Sequence, residues 1–305
     1  MISIDFQLDW KPNFQFAGLI YAQQRGWYSK AGINLRLIPW QGMTNPVDAL
    51  RKNGNVIASA EEHLIIQGRS AGMPIRAIGA MLQYSPIGWM ALEESGIQSL
   101  EDLKGKRLGI HGDGRMAVED VMDHFSIQKD EIEIVEIGYE YGEILKSGEC
   151  DAVQCLVMAE PLELKAEGFR LSVMPAYRWG YESYCQVMAV SEQFLKAEPA
   201  LLEEILTITF NGWRSALEEI ETVSSWIVEK YLPETDAALE AEMLKAFIPF
   251  IEGKVGRARI GWMETDRWER SIQRMVKNGM IRRPIQAGEI MTNRFVESID
   301  QGAER

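Results

Sequence analysis

Residues 1–90 alternate short apolar runs with amphipathic stretches, the pattern of βα units built around a mainly parallel sheet. The runs Ser3–Leu8, Ile33–Ile38, Val56–Ser59 and Ile75–Met81 are predicted strands. Helical stretches are predicted around Ala17–Arg25, Pro46–Lys52 and Glu61–Ala71, with Gly26, Gly32, Gly54 and Gly72 as punctuation between elements. A second series follows, with strands at Arg107–Ile110, Ile132–Glu136, Ala152–Val157 and Arg170–Val173. Its helices are predicted at Met116–Phe125, Gly142–Ser147 and Pro161–Glu167. In the first of these Val118, Val121, Met122 and Phe125 recur at helical spacing, so one stripe faces a core.

After Ser191 the pattern changes to long helices. Leu202, Leu206, Thr209, Trp213 and Leu217 form one apolar stripe, with Pro199 suited to a first helical turn. Trp268, Ile272, Met275 and Val276 form another, with Thr265 and Asp266 as capping candidates. No internal repeat, low-complexity tract or flexible linker interrupts the chain. Two βα series and a helical tail therefore suggest two lobes joined by short crossings at Ser85–Met90 and Gln186–Ser191, the tail packing back on the first lobe.

Charge and cysteine content narrow the function classes. The 45 Asp+Glu outweigh 32 Lys+Arg, and the formal charge of −13 repels phosphate backbones and anionic headgroups. Nucleic acid is thus excluded as a bulk partner, while a local pocket for a small anion stays open. Cys150, Cys155 and Cys185 are too few for a disulfide framework and lack zinc-type pairing. No run approaches the length of a membrane span, and Met1–Phe6 lacks the regions of a signal peptide. The expectation is a soluble body that is either cytoplasmic or without its export segment.

Several stretches together resemble one family. They are Leu8-Asp9-Trp10-Lys11-Pro12-Asn13, Gly18-Leu19-Ile20-Tyr21-Ala22, Gly26-Trp27-Tyr28, Ala71-Gly72-Met73-Pro74-Ile75 and Tyr84-Ser85-Pro86. Ser95-Gly96-Ile97, Asp102-Leu103-Lys104-Gly105-Lys106, Leu108-Gly109-Ile110, Asp151-Ala152-Val153 and Glu160-Pro161 continue the series. Gly261-Trp262-Met263, Trp268, Gly279 and Thr292-Asn293 extend it nearly to the end. The set resembles the substrate-binding proteins of ABC importers in the pyrimidine-precursor, sulfonate and nitrate group. The resemblance implies an α/β, two-lobed type II periplasmic-binding-protein fold with the ligand held at the hinge. With the pattern change after Ser191, it places lobe 1 at residues 1–88 plus 190–305 and lobe 2 at 89–189. It also implies a small heteroaromatic ligand, a membrane permease as partner, a monomeric state and a periplasmic or extracytoplasmic location.

The same branch includes an enzyme, hydroxymethylpyrimidine phosphate synthase of the fungal type. That enzyme carries a lysine and, four residues on, a histidine after the third strand, with a cysteine-rich iron motif before the returning hinge. Counting back from Gly72-Met73-Pro74, these positions fall at Ala60 and Leu64; His63 is one place off, and no lysine lies between Asn53 and Gly72. In place of the cysteine cluster stands Tyr181-Glu182-Ser183-Tyr184-Cys185. The sequence therefore reads as a binder without a cofactor. A pyrimidine synthase and a sensory module of a larger receptor are the rivals.

Candidate ligand contacts come from chemistry at predicted strand ends. Trp10, Phe14, Trp40, Trp89, Trp179, Tyr181 and Tyr184 concentrate where loops should face a ligand, and aromatic faces suit a flat heterocycle. Trp10 directly follows the first strand, where open α/β sheets place ligands. Trp40 and Trp89 suit either core or ligand. Trp27, Trp213, Trp226 and Trp268 belong to packing positions. Asn13 suits either a ring edge or a helix cap. Glu61, Glu62 and Glu160 suit either helix N-termini or hydrogen bonds from an aminopyrimidine. Gly112-Asp113-Gly114-Arg115 follows a strand and opens a helix, either as an anion loop, with Arg115 adding charge, or as a tight turn. His63, His111 and His124 are scattered, which argues against a metal site.

Overall fold

A computed structural model describes residues 1–302 except 43 and 53; the side chains of residues 113, 298 and 300–302 lie outside the described set. The described chain contains two five-stranded sheets, each belonging to one of two units. The first unit comprises Met1–Tyr84 and the chain from Ser183 onward; the second is Ser85–Glu182.

The first unit's sheet has the order β2-β1-β3-β10-β4, with β1 at Ile2–Gln7, β2 at Ile33–Ile38, β3 at Val56–Ala60, β4 at Ile75–Leu82 and β10 at Cys185–Ser191. β1 lies parallel to β2 and β3, whereas β10 runs antiparallel between β3 and β4. Burial follows position in the sheet. In β1, Ile4 and Phe6 are fully buried while Asp5 and Gln7 alternate with them. In the edge strand β2, Ile33 and Leu35 turn inward and Asn34 and Arg36 outward, with Arg36 paired across the strands to Asp5 at 2.5 Å. The central β10 is buried along nearly its whole length, as a strand covered on both faces must be.

The helical tail completes this unit. The helix Pro199–Ala216 packs on Ala17–Gln24 at a point where only glycine fits. A Cβ on Gly212 would lie 2.3 Å from the Gly18 carbonyl oxygen. Leu202, Leu206, Thr209 and Trp213 are all buried on that helix. The hydroxyl of Thr209 is satisfied at 2.7 Å by the Ile205 carbonyl and meets the Tyr28 hydroxyl at 2.8 Å. On the helix Thr265–Lys277, Trp268, Ile272 and Met275 are buried but Val276 is exposed. Glu264 occupies the cap position of that helix, and the capping candidates Thr265 and Asp266 fall in its first turn, where Asp266 favours the helix dipole instead.

The second unit's sheet has the order β7-β6-β8-β5-β9, with β5 at Ile87–Leu92, β6 at Arg107–Ile110, β7 at Glu133–Glu136, β8 at Ala152–Leu156 and β9 at Leu171–Pro175. β6 is parallel to β7 and β8, and β5 is antiparallel to β8 and β9. Each expected crossing is itself a strand that inserts antiparallel into the sheet it enters, β5 in the second unit and β10 in the first. The expected lobe limits at 88/89 and 189/190 consequently fall inside these strands. Among the described residues no helix is long and apolar enough to cross a membrane.

Candidate functional site

The carboxyl ends of β1 and β3, with the start of β10 between β3 and β4, bring a group of polar and aromatic side chains together in the first unit. Trp10, just beyond β1, stacks on Trp40, just beyond β2, with centroids 5.3 Å apart and planes 25° from parallel. The backbone holds the pair in place: Trp40 N–H donates to the Trp10 carbonyl at 3.2 Å, and the Trp40 indole N–H to the Thr44 carbonyl at 2.7 Å. Both rings remain partly exposed.

Asp9 precedes Trp10 and lies over the end of β3, where the Ser59 hydroxyl donates to its Oδ1 at 3.1 Å. Burial pushes its carboxyl up to about 6, against the opposing hydrogen bonds from its own backbone, Ser59 and Gln186. Gln186 carries a positive φ of 49° inside β10, an unusual conformation for a residue with a side chain. Its amide Nε2 donates to Gln15 Oε1 at 3.2 Å. Beside it the Cys185 thiol donates to Glu61 Oε1 at 3.0 Å. Burial, then the nearby Glu61 and Asp9 carboxylates, push that thiol well above its ordinary range, so it is a hydrogen-bond donor and not a nucleophile at neutral pH.

Of the sequence candidates, Trp10, Trp40 and Glu61 fall in this group. Asn13 does not present its side chain to it as a donor–acceptor edge. It is buried, and its Oδ1 caps the short 3₁₀ turn Phe14–Phe16 by accepting from Gln15 N–H at 3.1 Å. The adjoining Phe14 N–H is bound at 2.5 Å by the buried carboxylate of Glu240, from the helix Ala237–Glu252. Tyr184 is fully buried, and its role is packing. Its hydroxyl accepts from Glu264 N–H at 2.7 Å, the Arg267 guanidinium lies 3.8 Å over its ring, and Trp268 stacks at 6.3 Å. Glu62, the neighbour of Glu61, turns to the same buried network: one oxygen accepts from Ser183 Oγ and from Tyr184 N–H, each at 2.9 Å. Burial raises its pKa despite those bonds and the nearby Arg267.

The second-unit candidates are arranged otherwise. Trp89 is fully buried in the core of that unit with Leu108, Val121 and Met174, and so offers no free face. Gly112–Gly114 form a short 3₁₀ turn leading into the helix Arg115–Phe125. Two N–H groups at the turn are bonded within the unit: His111 N–H donates to Gln154 Oε1 at 3.0 Å and Gly114 N–H to the His111 carbonyl at 3.0 Å. Gln154 sits so close that a Cβ on Gly114 would lie 1.8 Å from its Oε1. The Gln154 amide thus packs against the turn at Gly114, and Arg115 is exposed at its exit. Glu160 Oε2 accepts from Leu156 N–H at 2.7 Å and closes the turn before its own helix. Among the described residues no three His, Cys, Asp or Glu side chains converge as a metal site.

The residues the sequence did not single out are Asp9, Gln15, Ser59 and Gln186. Asp9 and Ser59 share with Trp10 the one available signal, a polar residue at a strand's carboxyl end. Gln15 and Gln186 carry none, because they meet only through the antiparallel insertion of β10.

Comparison with known proteins follows the same lines. The chain is 21% identical to the riboflavin-binding protein RibY of Chloroflexus aurantiacus, over 96% of this chain and 86% of that one. It is 22% identical to the formylaminopyrimidine-binding protein of Halalkalibacterium halodurans, over 95% and 90%. A 4-amino-5-hydroxymethyl-2-methylpyrimidine phosphate synthase of Legionella pneumophila is also 22% identical, over 95% and 90%. Among solved structures, the periplasmic aliphatic sulphonate binding protein SsuA of Escherichia coli superposes with a TM-score of 0.74 at 12% identity, covering 97% of this chain and 98% of that one. The two-sheet α/β architecture is therefore that of the periplasmic binding proteins. Residues 13–222 match the family described as NMT1/THI5 like, and the chain belongs to that family.

Proposed function

We propose that this protein is the solute-binding component of an ABC importer and captures a small planar nitrogen heterocycle of the thiamin-precursor pyrimidine type. The observation that carries the reading is the stacked Trp10–Trp40 pair just beyond β1 and β2, together with the Asp9, Ser59 and Glu61 oxygens at the carboxyl ends of β1 and β3. The outer face of the stacked pair offers an apolar surface to one flat side of a ring, while oxygens at its edge supply directional hydrogen bonds. The names of two full-length relatives, a formylaminopyrimidine-binding and a riboflavin-binding protein, support the ligand class. The ligand stabilises one state of the protein, which a membrane permease outside the cytoplasm then recognises, and the binder works as a monomer. Calorimetric titration with a thiamin-precursor aminopyrimidine, riboflavin and an aliphatic sulfonate tests this. Heterocycle binding without sulfonate binding is the expected result, and binding of the sulfonate alone would refute it.

A synthase remains the second reading because the Legionella relative and several fungal ones carry that name. Against it stand Ala60 and Leu64 where the resemblance asks for lysine and histidine, and Cys185 alone where it asks for a cysteine cluster. Incubation with pyridoxal phosphate and iron yields no pyrimidine product on the binder reading.

A further inference from the structure

Gln186 is anomalous twice over. It is a non-glycine residue with φ of 49° inside a strand, and its side-chain Oε1 is buried with no hydrogen-bond partner among the described residues. The orientation of the amide is fixed by what surrounds its nitrogen: Nε2 donates to Gln15 Oε1, and the side chain also bonds Asp9. The Asp9 carboxylate decides the orientation, since exchanging oxygen and nitrogen would set an acceptor against it. The oxygen is thus an acceptor in need of a donor, and such features concentrate at functional sites.

Its neighbours are acceptors as well. Asp9 has about four lone-pair positions, and the bonds from Ser59, Gln186 and its own backbone leave capacity for another donor. Glu61 accepts from Cys185. The titratable groups converging here are Asp9 from the end of β1, Glu61 from the end of β3 and Cys185 from β10; none of the groups acting on Asp9 is a cation. Such a wall repels an anionic headgroup and suits a ligand that brings donors.

We propose that Asp9 and Gln186 together determine specificity by reading an amidine edge, an exocyclic amine beside a protonable ring nitrogen, and that the complex holds one proton shared between Asp9 and that nitrogen. This rests on the heterocycle-binding reading above and names the edge by which the ring is chosen. A carboxylate with an amidinium and a carboxylic acid with an amidine contain the same atoms. Either way the pair has two hydrogen bonds and no net charge between them. The Asp9 carboxyl, raised by burial to about 6, is close to the range in which aminopyrimidine ring nitrogens titrate, so the proton is held readily by the pair. At about pH 8 both free partners have lost that proton. Binding there therefore takes one proton from the buffer.

The test is calorimetric titration of the full chain at about pH 8 in two buffers of different ionisation enthalpy. The probes are a 4-aminopyrimidine and the same ring with hydrogen in place of the amine. Uptake near one proton per ligand is expected, with at least about a tenfold loss of affinity, or 1.4 kcal/mol, for the ring without the amine. Asp9→Asn is nearly isosteric; it should bind the aminopyrimidine at least about tenfold more weakly and take up no proton. A thermal melt of the variant establishes that it is folded. If the two rings bind within about threefold, or if Asp9→Asn keeps the proton uptake, the assignment of Asp9 and Gln186 falls while heterocycle binding stands. If neither these rings nor riboflavin binds, both fall together.

Discussion

Asp9→Asn should stabilise the protein, and by an amount that depends on pH. In the folded chain the Asp9 carboxyl is raised from 3.8 to about 6, chiefly by burial. A carboxyl whose folded pKa lies above its unfolded value contributes stability that is fully present below the unfolded pKa. That stability is lost as pH rises through the folded one. At 1.36 kcal/mol per pKa unit, a displacement of about two units makes the ionised Asp9 cost about 3 kcal/mol at neutral and higher pH. Asparagine keeps the shape and the acceptor for Ser59 but carries no charge. The advantage of the variant over the parent should therefore grow by about 2–3 kcal/mol between about pH 4 and pH 8, roughly 3–5 °C in Tm. Paired denaturation curves across that range measure it. An advantage that is independent of pH, or one that shrinks as pH rises, would show that Asp9 is not buried as a costly carboxylate, and would remove the physical basis for its role in the site.

Trp268→Ala, which empties a fully buried position, should lower stability by about 3–5 kcal/mol in denaturant titrations without changing the affinity of the remaining folded protein. Gly212→Ala drives a Cβ to 2.3 Å from the Gly18 carbonyl, and melts should show a loss of about 1–3 kcal/mol as the two helices separate. Trp10→Ala should stay folded but weaken heterocycle binding by about 1–3 kcal/mol, five- to 150-fold in Kd, with Trp10→Phe retaining much of the affinity. Cys185 should react slowly with a thiol reagent at neutral pH in the folded protein and rapidly once denatured; fast labelling of native protein would refute the buried thiol–Glu61 pair.

Much of the architecture was legible because it is written in periodicity. The period-2 burial of Ser3–Leu8 and the stripe through Leu202, Leu206, Thr209 and Trp213 need only local spacing to be read. Val276 fitted the second stripe by spacing yet lies outside it, since a helix face has a width that spacing alone overestimates. The crossings were visible as places but not as strands, because Ile87–Leu92 and Cys185–Ser191 are covered on both faces and so lack alternation.

The site was less legible. Trp10 and Glu61 follow from the rule that ligands gather at strand carboxyl ends, and Asp9 is open to the same rule. Trp89 sits within such a continuous apolar run, where core and contact look alike. Tyr184 is decided by Glu264 and Arg267, some 80 residues away, and no local pattern announces such partners. Nothing in the composition around Gln186 signals a positive φ, since glutamine has no propensity for it.

The central claim is that the Trp10–Trp40 pair and its neighbouring oxygens form a binding site for a planar heterocycle. Thermal melts of the protein against an aminopyrimidine, riboflavin and an aliphatic sulfonate test this most directly. A ligand held only by the folded state at about a hundredfold excess over Kd adds roughly 2.7 kcal/mol. The expected result is a raised melting temperature with a heterocycle, accompanied by a change in tryptophan fluorescence, and no response to the sulfonate. A melting curve that none of the three compounds moves, or that the sulfonate alone moves, would contradict the account.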